Sequence, residues 1–241
     1  MIPFSQIDTV FLDVGNTLIS IDFDWVASEL TARQCACDPE TLRRAEAASR
    51  PAYSKRLFVD GLPAGTDLFA EYLRSILGQL AITAALPAPA FDGLITELRP
   101  VLRPDGRANR LWRSVMPRVP EALDRLRTCG LSLVVVSNSD GTVESSLEAA
   151  GLRPYLTAVI DSALVGYDKP DPRIFTSALE QVGAAPERTL HVGDLYHADV
   201  VGARSAGIHA ILLDPFGDWS DVDCPTAPDL FSLAESFASV R

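Results

Sequence analysis

Four short apolar runs fix the framework of this chain. They are Thr9-Val10-Phe11-Leu12, Leu133-Val134-Val135-Val136, Leu190-His191-Val192 and Ala210-Ile211-Leu212-Leu213, with Tyr155 to Ile160 a fainter fifth. Each is continuous rather than alternating. That pattern marks strands buried on both faces, as in a parallel sheet, rather than strands with one wet face. The gaps between them carry helices with legible ends. Pro120 opens one that runs to Gly130, Asp140 precedes one that ends near Gly151, and Pro172 opens one that ends near Gly183. Strands alternating with helices in this way predict an α/β fold with an open, doubly wound parallel sheet.

The stretch from Ile21 to Leu111 breaks the rhythm. It has no strong strand run and is rich in Ala, Leu, Arg and Glu, with helical spacing over Trp25–Leu30, Thr41–Ser49, Asp67–Leu77 and Phe91–Leu98. Pro39, Gly61-Leu62-Pro63 and Pro87-Ala88-Pro89 punctuate it. It reads as an all-helical insert. The expected organisation is therefore an α/β core from residues 1–19 and 113–241, and a helical domain from residues 20–112.

Composition removes several classes of function. A net charge of −11 leaves no basic footprint for nucleic acid and disfavours anionic membranes. The longest strongly apolar run, Leu131 to Val136, is far short of the ~20 residues that span a bilayer. Met1 to Thr9 holds no positive residue and no apolar run, so no secretory leader is expected there. Cys35, Cys37, Cys129 and Cys224 are too sparse for a disulfide framework, and the Cys35-x-Cys37 pair has no second ligand cluster to make a zinc site. A cytoplasmic protein is expected.

Ligands of open parallel sheets sit beyond the carboxyl ends of the strands. The first run ends in Asp13-Val14-Gly15-Asn16-Thr17, the second in Ser137-Asn138 and the third in Gly193-Asp194, with Asp199 five residues on. Lys169-Pro170-Asp171-Pro172 lies between the second and third. Carboxylates, a hydroxyl, an amide and a lysine are the parts phosphoryl transfer needs: a nucleophile, a cation site and donors for phosphate oxygens. The chain has two lysines, Lys55 and Lys169, against nineteen arginines, so a lysine at 169 is a pointed choice. A compact ammonium suits a point-charge role better than a guanidinium fork.

The order hhhh-Asp13-x-x-x-Thr17, hhhh-Ser137-Asn138, Lys169-Pro170 and Gly193-Asp194-x-x-x-x-Asp199 resembles the four motifs of the haloacid dehalogenase (HAD) superfamily. Gly166-x-x-Lys169-Pro170-Asp171-Pro172-x-Ile174-Phe175 is similar to the subfamily with a helical cap after the first motif. The resemblance implies a Rossmann-like core, with Asp13 as the nucleophile that takes the phosphoryl group of a small phosphorylated metabolite and becomes an aspartyl-phosphate. It implies Mg²⁺ held by Asp13, the Gly15 carbonyl and Asp194, with Asp199 anchoring the metal from farther out. Ser137 and the Asn138 amide would bind phosphoryl oxygens, and Lys169 would offset the crowding of negative charge.

One position departs from the resemblance. Phosphatases of this superfamily usually carry a second Asp two residues after the nucleophile, where this chain has Gly15. The metal carbonyl survives, but the general acid/base is lost, and such catalysis typically contributes ~10²–10⁴-fold. Two other readings follow from Gly15. One is a phosphonatase-like C–P hydrolase that uses Lys55, in the insert, as a Schiff base. The other is a non-catalytic descendant that binds phosphorylated ligands. His197, between Asp194 and Asp199, reads as a turn or surface residue, with a proton relay as the alternative.

Overall fold

A computed structural model describes residues 2–104 and 110–240; residues 1, 105–109 and 241, which the expected domain ranges include, lie outside the described residues. The strands are β1 (Thr9–Leu12), β2 (Ile19–Ile21), β3 (Trp112–Val115), β4 (Ser132–Ser137), β5 (Ala158–Asp161), β6 (Thr189–Gly193), β7 (His209–Leu213) and β8 (Thr226–Ala227). Among the described residues six of them form one sheet in the order β5-β4-β1-β6-β7-β8, and β2 pairs with β3. Every pairing described in the large sheet is parallel. β1 lies between β4 and β6, in register from Thr9↔Ser132 and Thr9↔Thr189. The chain builds outward from β1 to one side through β4 and β5, then crosses to the other side at β6. That reversal places the switch point at the carboxyl ends of β1, β4 and β6.

Continuous apolar runs serve the sheet because both faces are covered. Phe11, Val134, Val136, Ala158, Ile160, Ala210 and Leu212 alternate along their strands and share a core with Ile174, Phe175, Ala178 and Leu179. Val10, Leu12, Leu133 and Val135, the opposite set, are buried as well. Complete burial of each such side chain contributes about 1.5–3 kcal/mol. The fainter fifth run begins later than its sequence suggests. Arg153–Tyr155 is a single 3-10 turn, and pairing starts at Ala158. The two short strands β2 and β3, with three and four residues, carry no run long enough to stand out in the sequence.

The chain separates into two compact units, residues 1–20 with 113–241, and Ile21–Trp112. The second is helical: α1 (Phe23–Ala32), α2 (Pro39–Lys55), α3 (Leu68–Leu77), α4 (Ala81–Ala84) and α5 (Ala88–Leu102). Its core gathers Leu30, Leu42, Leu73, Ile76, Leu77, Leu98 and Leu102, with Trp25 and Trp112 packed against it. Asp side chains start these helices. Asp22 accepts from the Trp25 N–H, Asp38 from Thr41, and Asp67 from Phe69 and Ala70. Such caps contribute about 1 kcal/mol each. The unit also contains a buried ion pair: the Arg50 guanidinium grips Glu46 through Nε at 3.0–3.1 Å and Nη2 at 2.5 Å, and Tyr72 Oη donates to Glu46 at 3.0 Å.

The first unit adds α6 (Val119–Thr128), α7 (Val143–Ala149), α8 (Ser162–Val165), α9 (Pro172–Val182), α10 (Gly202–Ser205) and α11 (Leu230–Ala238). α9 has the ends its sequence announces: Asp171 caps it by accepting from the Arg173 N–H, Pro172 fills the first helical position, and Gly183 terminates it at φ 65°. α7 begins at Val143 rather than directly after Asp140, because Gly141 and Val143 donate their N–H groups to Asp161 at the end of β5. Among the described residues, no helix is long and apolar enough to cross a membrane.

Candidate active site

Asp13 follows β1, and its N–H continues the β1–β6 ladder by donating to Val192 O at 2.9 Å. The chain then turns tightly on one acceptor: Val14 O receives the N–H groups of Leu18 and Ile19 at 2.9 Å and of Thr17 at 3.3 Å. Asn16 takes the left-handed conformation in this turn, at φ 51°. Asn is among the few side chains that tolerate that geometry. Its Nδ2 donates to Asp194 Oδ2 at 3.2 Å. The motif after β1 therefore reaches the motif after β6 through Asn16.

Lys169 is buried, and its Nζ donates to Asp13 Oδ1 at 2.6 Å and to Asp199 Oδ1 at 2.7 Å. Its backbone is pinned by Asn138: Lys169 N donates to Asn138 Oδ1 at 2.6 Å, and Asn138 Nδ2 donates to Lys169 O at 2.9 Å. The Asn138 side chain is thus committed to the lysine loop. The Asn138 group that remains to meet a phosphoryl oxygen is its backbone N–H. Ser137, the last residue of β4, is buried and pairs with Asp161 of β5. Ser162 Oγ and Asp161 hold the loop that follows by accepting from the N–H groups of Ser139, Gly141 and Val143.

After Asp194 the chain enters a π-helical turn, Tyr196–Val201, which presents Asp199 inward. Wide turns of this kind are frequent at functional sites. Asp199 Oδ2 accepts from the Leu195 N–H at 2.9 Å, while Oδ1 accepts from Lys169 and from His191 Nε2 at 2.9 Å. Three of its roughly four acceptor positions are taken by protein donors. Gly193 is required by this packing: a Cβ there would lie 2.2 Å from Asp199 Cγ.

One carboxylate oxygen from each of Asp13, Asp194 and Asp199 lies within 4.8 Å of the others, and all three residues are buried. Three buried carboxylates facing one buried ammonium leave an excess of negative charge that is costly without a further cation. An all-oxygen donor set of this kind fits a hard divalent ion such as Mg²⁺. Burial pushes the Asp13 carboxyl above its ordinary range, only partly countered by Lys169, and the nearby Asp199 adds to the rise. For Asp199 burial acts the same way, but Lys169 and His191 outweigh it and hold the carboxyl below the ordinary range. Burial would lower Lys169, yet Asp13 and Asp199 overcome it and hold the ammonium well above its usual value.

Asp13, Lys169, Asp194 and Asp199 thus converge, with Gly15 two residues beyond Asp13 and Asn138, at the end of β4 after Ser137, hydrogen-bonded to the Lys169 backbone. Lys55 lies at the end of α2, in the helical unit, and is exposed. His197 is half-buried in the π-helical turn, its ring edge-on to Tyr196 at 5.2 Å, and burial lowers its pKa. Two participants escape a reading of the sequence. Asn16 is hidden by its place in a turn, where Asn is ordinary. His191 carries a signal: it is a polar residue inside a run that must be buried on both faces.

The model of the haloacid dehalogenase-like hydrolases matches residues 7–207, and the chain belongs to that family. A haloacid dehalogenase-like hydrolase domain-containing protein 3 from Xenopus laevis is 30% identical over 209 residues, 84% of this chain and 82% of that protein. The Bos taurus protein of the same name is 45% identical over 91 residues, and there the match spans only 36% of either chain. A phosphoserine phosphatase from Thermus thermophilus is 41% identical over 102 residues, 41% of each chain. Among solved structures, the HAD-hydrolase YfnB from Bacillus subtilis, bound to magnesium, superposes with a TM-score of 0.60 at 16% identity, covering 96% of this chain and 99% of that one. At that identity the likeness is one of fold.

Proposed function

We propose that this chain is a Mg²⁺-dependent phosphatase that hydrolyses a small phosphorylated metabolite through an aspartyl-phosphate on Asp13. The observation that carries the reading is the placement of Asp13 Oδ1 at 2.6 Å from Lys169 Nζ, inside a cluster of carboxylates sized for a cation. Membership of a hydrolase family and the likeness to a phosphoserine phosphatase support it. An Asp13 carboxylate oxygen attacks phosphorus, and the bond from phosphorus to the ester oxygen breaks. Water then attacks the acyl phosphate, phosphate leaves, and the Asp13 carboxylate is restored. Ser137 Oγ and the Asn138 N–H donate to the phosphoryl oxygens, and Lys169 steadies the charge that builds between Asp13 and phosphate. Mg²⁺ would be held by Asp13, the Gly15 carbonyl and Asp194, with Asp199 supporting it, and would supply charge neutralisation at the phosphoryl group.

Gly15 offers no side chain to protonate the leaving oxygen, so that proton comes from solvent. Esters whose leaving groups need little help are therefore the preferred substrates. Four free thiols suit a reducing compartment and support a cytoplasmic location for the activity. The test is a panel of aryl and alkyl phosphates and acyl phosphates assayed with Mg²⁺, using wild type and Asp13→Asn. Turnover that disappears in Asp13→Asn supports hydrolysis. Binding of phosphorylated compounds without turnover of any of them would replace it with the non-catalytic reading, which Gly15 favours.

A further inference from the structure

His191 lies in the middle of β6, paired with Phe11 of β1 and Ala210 of β7, and no part of it reaches solvent. A strand buried on both faces is a poor place for an imidazole unless its polar atoms are met. Nε2 lies 2.9 Å from Asp199 Oδ1. The ring stands edge-on to Phe175, with centroids 5.0 Å apart. Nδ1 is buried and, among the described residues, has no hydrogen-bond partner. A carboxylate can only accept, so the Nε2 position carries the proton. Placing a second proton on Nδ1 would strand a buried donor, whereas a lone pair there is less costly to leave unmet. The ring is therefore a one-sided donor aimed at a single oxygen.

That oxygen also accepts from Lys169 Nζ, whose other contact is Asp13 Oδ1. The contacts make one line: His191 donates to Asp199, Asp199 accepts from Lys169, and Lys169 donates to Asp13. With the Leu195 N–H on Oδ2, His191 supplies the third donor on Asp199, and it is the only one of the three from a sheet strand. Without it the carboxylate can rotate about its Cβ–Cγ bond, and the ammonium can follow.

The geometry points to His191 as a positioning residue that, through Asp199, fixes Lys169 against the reacting carboxylate. The proposal rests on the phosphatase reading for its kinetic consequence, but not for its structural one. Outer partners of this kind are typically worth 10–100-fold in activity when removed.

The test compares His191→Gln, which keeps an amide donor at the Nε2 position, with His191→Leu, which keeps the volume and removes the donor. In wild type, ¹H–¹⁵N correlations of the imidazole should show the proton on Nε2 and a bare Nδ1. The buried Lys169 ammonium should give a protected resonance that persists in His191→Gln and is shifted or lost in a folded His191→Leu. On an aryl phosphate, kcat should fall about 10–100-fold in His191→Leu with KM little changed, and His191→Gln should recover most of it. A wild-type proton found on Nδ1, or a Lys169 resonance unmoved in folded His191→Leu, would overturn the proposal. If wild type turns over no ester, the phosphatase reading fails, and the two resonances still decide the role of His191.

Discussion

Lys169 Nζ bridges Asp13 Oδ1 and Asp199 Oδ1 at 2.6 and 2.7 Å, so the lysine joins the segment after β1 to the turn after β6. Removing its charge leaves two buried carboxylates facing each other. Breaking a buried pair in this way costs about 3–5 kcal/mol. Lys169→Met should lower the stability of the metal-free protein by about that much, measured by urea denaturation. Adding Asp199→Asn in the same chain should restore part of the loss. Activity on aryl phosphates should fall ~10²–10³-fold, as for removal of one oriented donor at a developing charge. Lys169→Arg should not rescue it, because a planar fork cannot occupy the site of an ammonium held between two carboxylates.

Gly15 defines a second expectation. Gly15→Asp supplies a carboxyl two residues from the nucleophile, where a proton donor for the leaving oxygen belongs. The gain should grow with leaving-group basicity, small for aryl phosphates and up to ~10²-fold for alkyl phosphates. A plot of log kcat/KM against leaving-group pKa should therefore flatten in the variant. An unchanged slope would mean that another group already delivers the proton.

Much of this arrangement is legible in the amino-acid sequence. Continuous runs such as Leu133–Val136 can only be strands covered on both faces, and the residues that follow such runs collect at one rim. That logic alone gathers Asp13, Asp194 and Ser137, and the scarcity of lysine points to Lys169. Contacts that depend on side-chain direction are not legible. Asn138 reads as a phosphate ligand in sequence, but its side chain is spent on the Lys169 backbone. Asn16, in a left-handed turn, reaches Asp194 across 178 residues of sequence. Strands β2 and β3 stay hidden because their length is set by pairing with each other rather than by a long apolar run.

Asp199 gives a pH dependence whose sign can be worked out. Its pKa in the folded protein lies below the ordinary value because Lys169 and His191 outweigh burial. As pH falls below about 4, the unfolded chain takes up this proton first. The stabilisation is therefore complete above that pH and is lost as pH drops toward the folded-state value. In metal-free protein, Asp199→Asn should be less stable than wild type at pH 7, and its denaturation midpoint should fall less steeply between about pH 4 and 2. Asp13 acts in the opposite direction, since its raised pKa makes the folded state take up the proton first. Asp13→Asn should therefore steepen the acid limb.

Gly193 is the position where backbone and chemistry are most tightly tied. A Cβ there would lie 2.2 Å from Asp199 Cγ and 2.4 Å from Oδ2, so Gly193→Ala forces the carboxylate away from the strand. The neighbour is a short side chain held by three donors rather than the loose end of a long one, and it cannot yield without breaking hydrogen bonds. The overpacking should cost about 1–3 kcal/mol in stability. Activity should drop as far as in Asp199→Ala, because both variants release Lys169 from its second anchor. If Gly193→Ala loses stability but keeps the kcat of wild type, then Asp199 can hold Lys169 from a displaced position, and the close fit against β6 serves packing rather than catalysis.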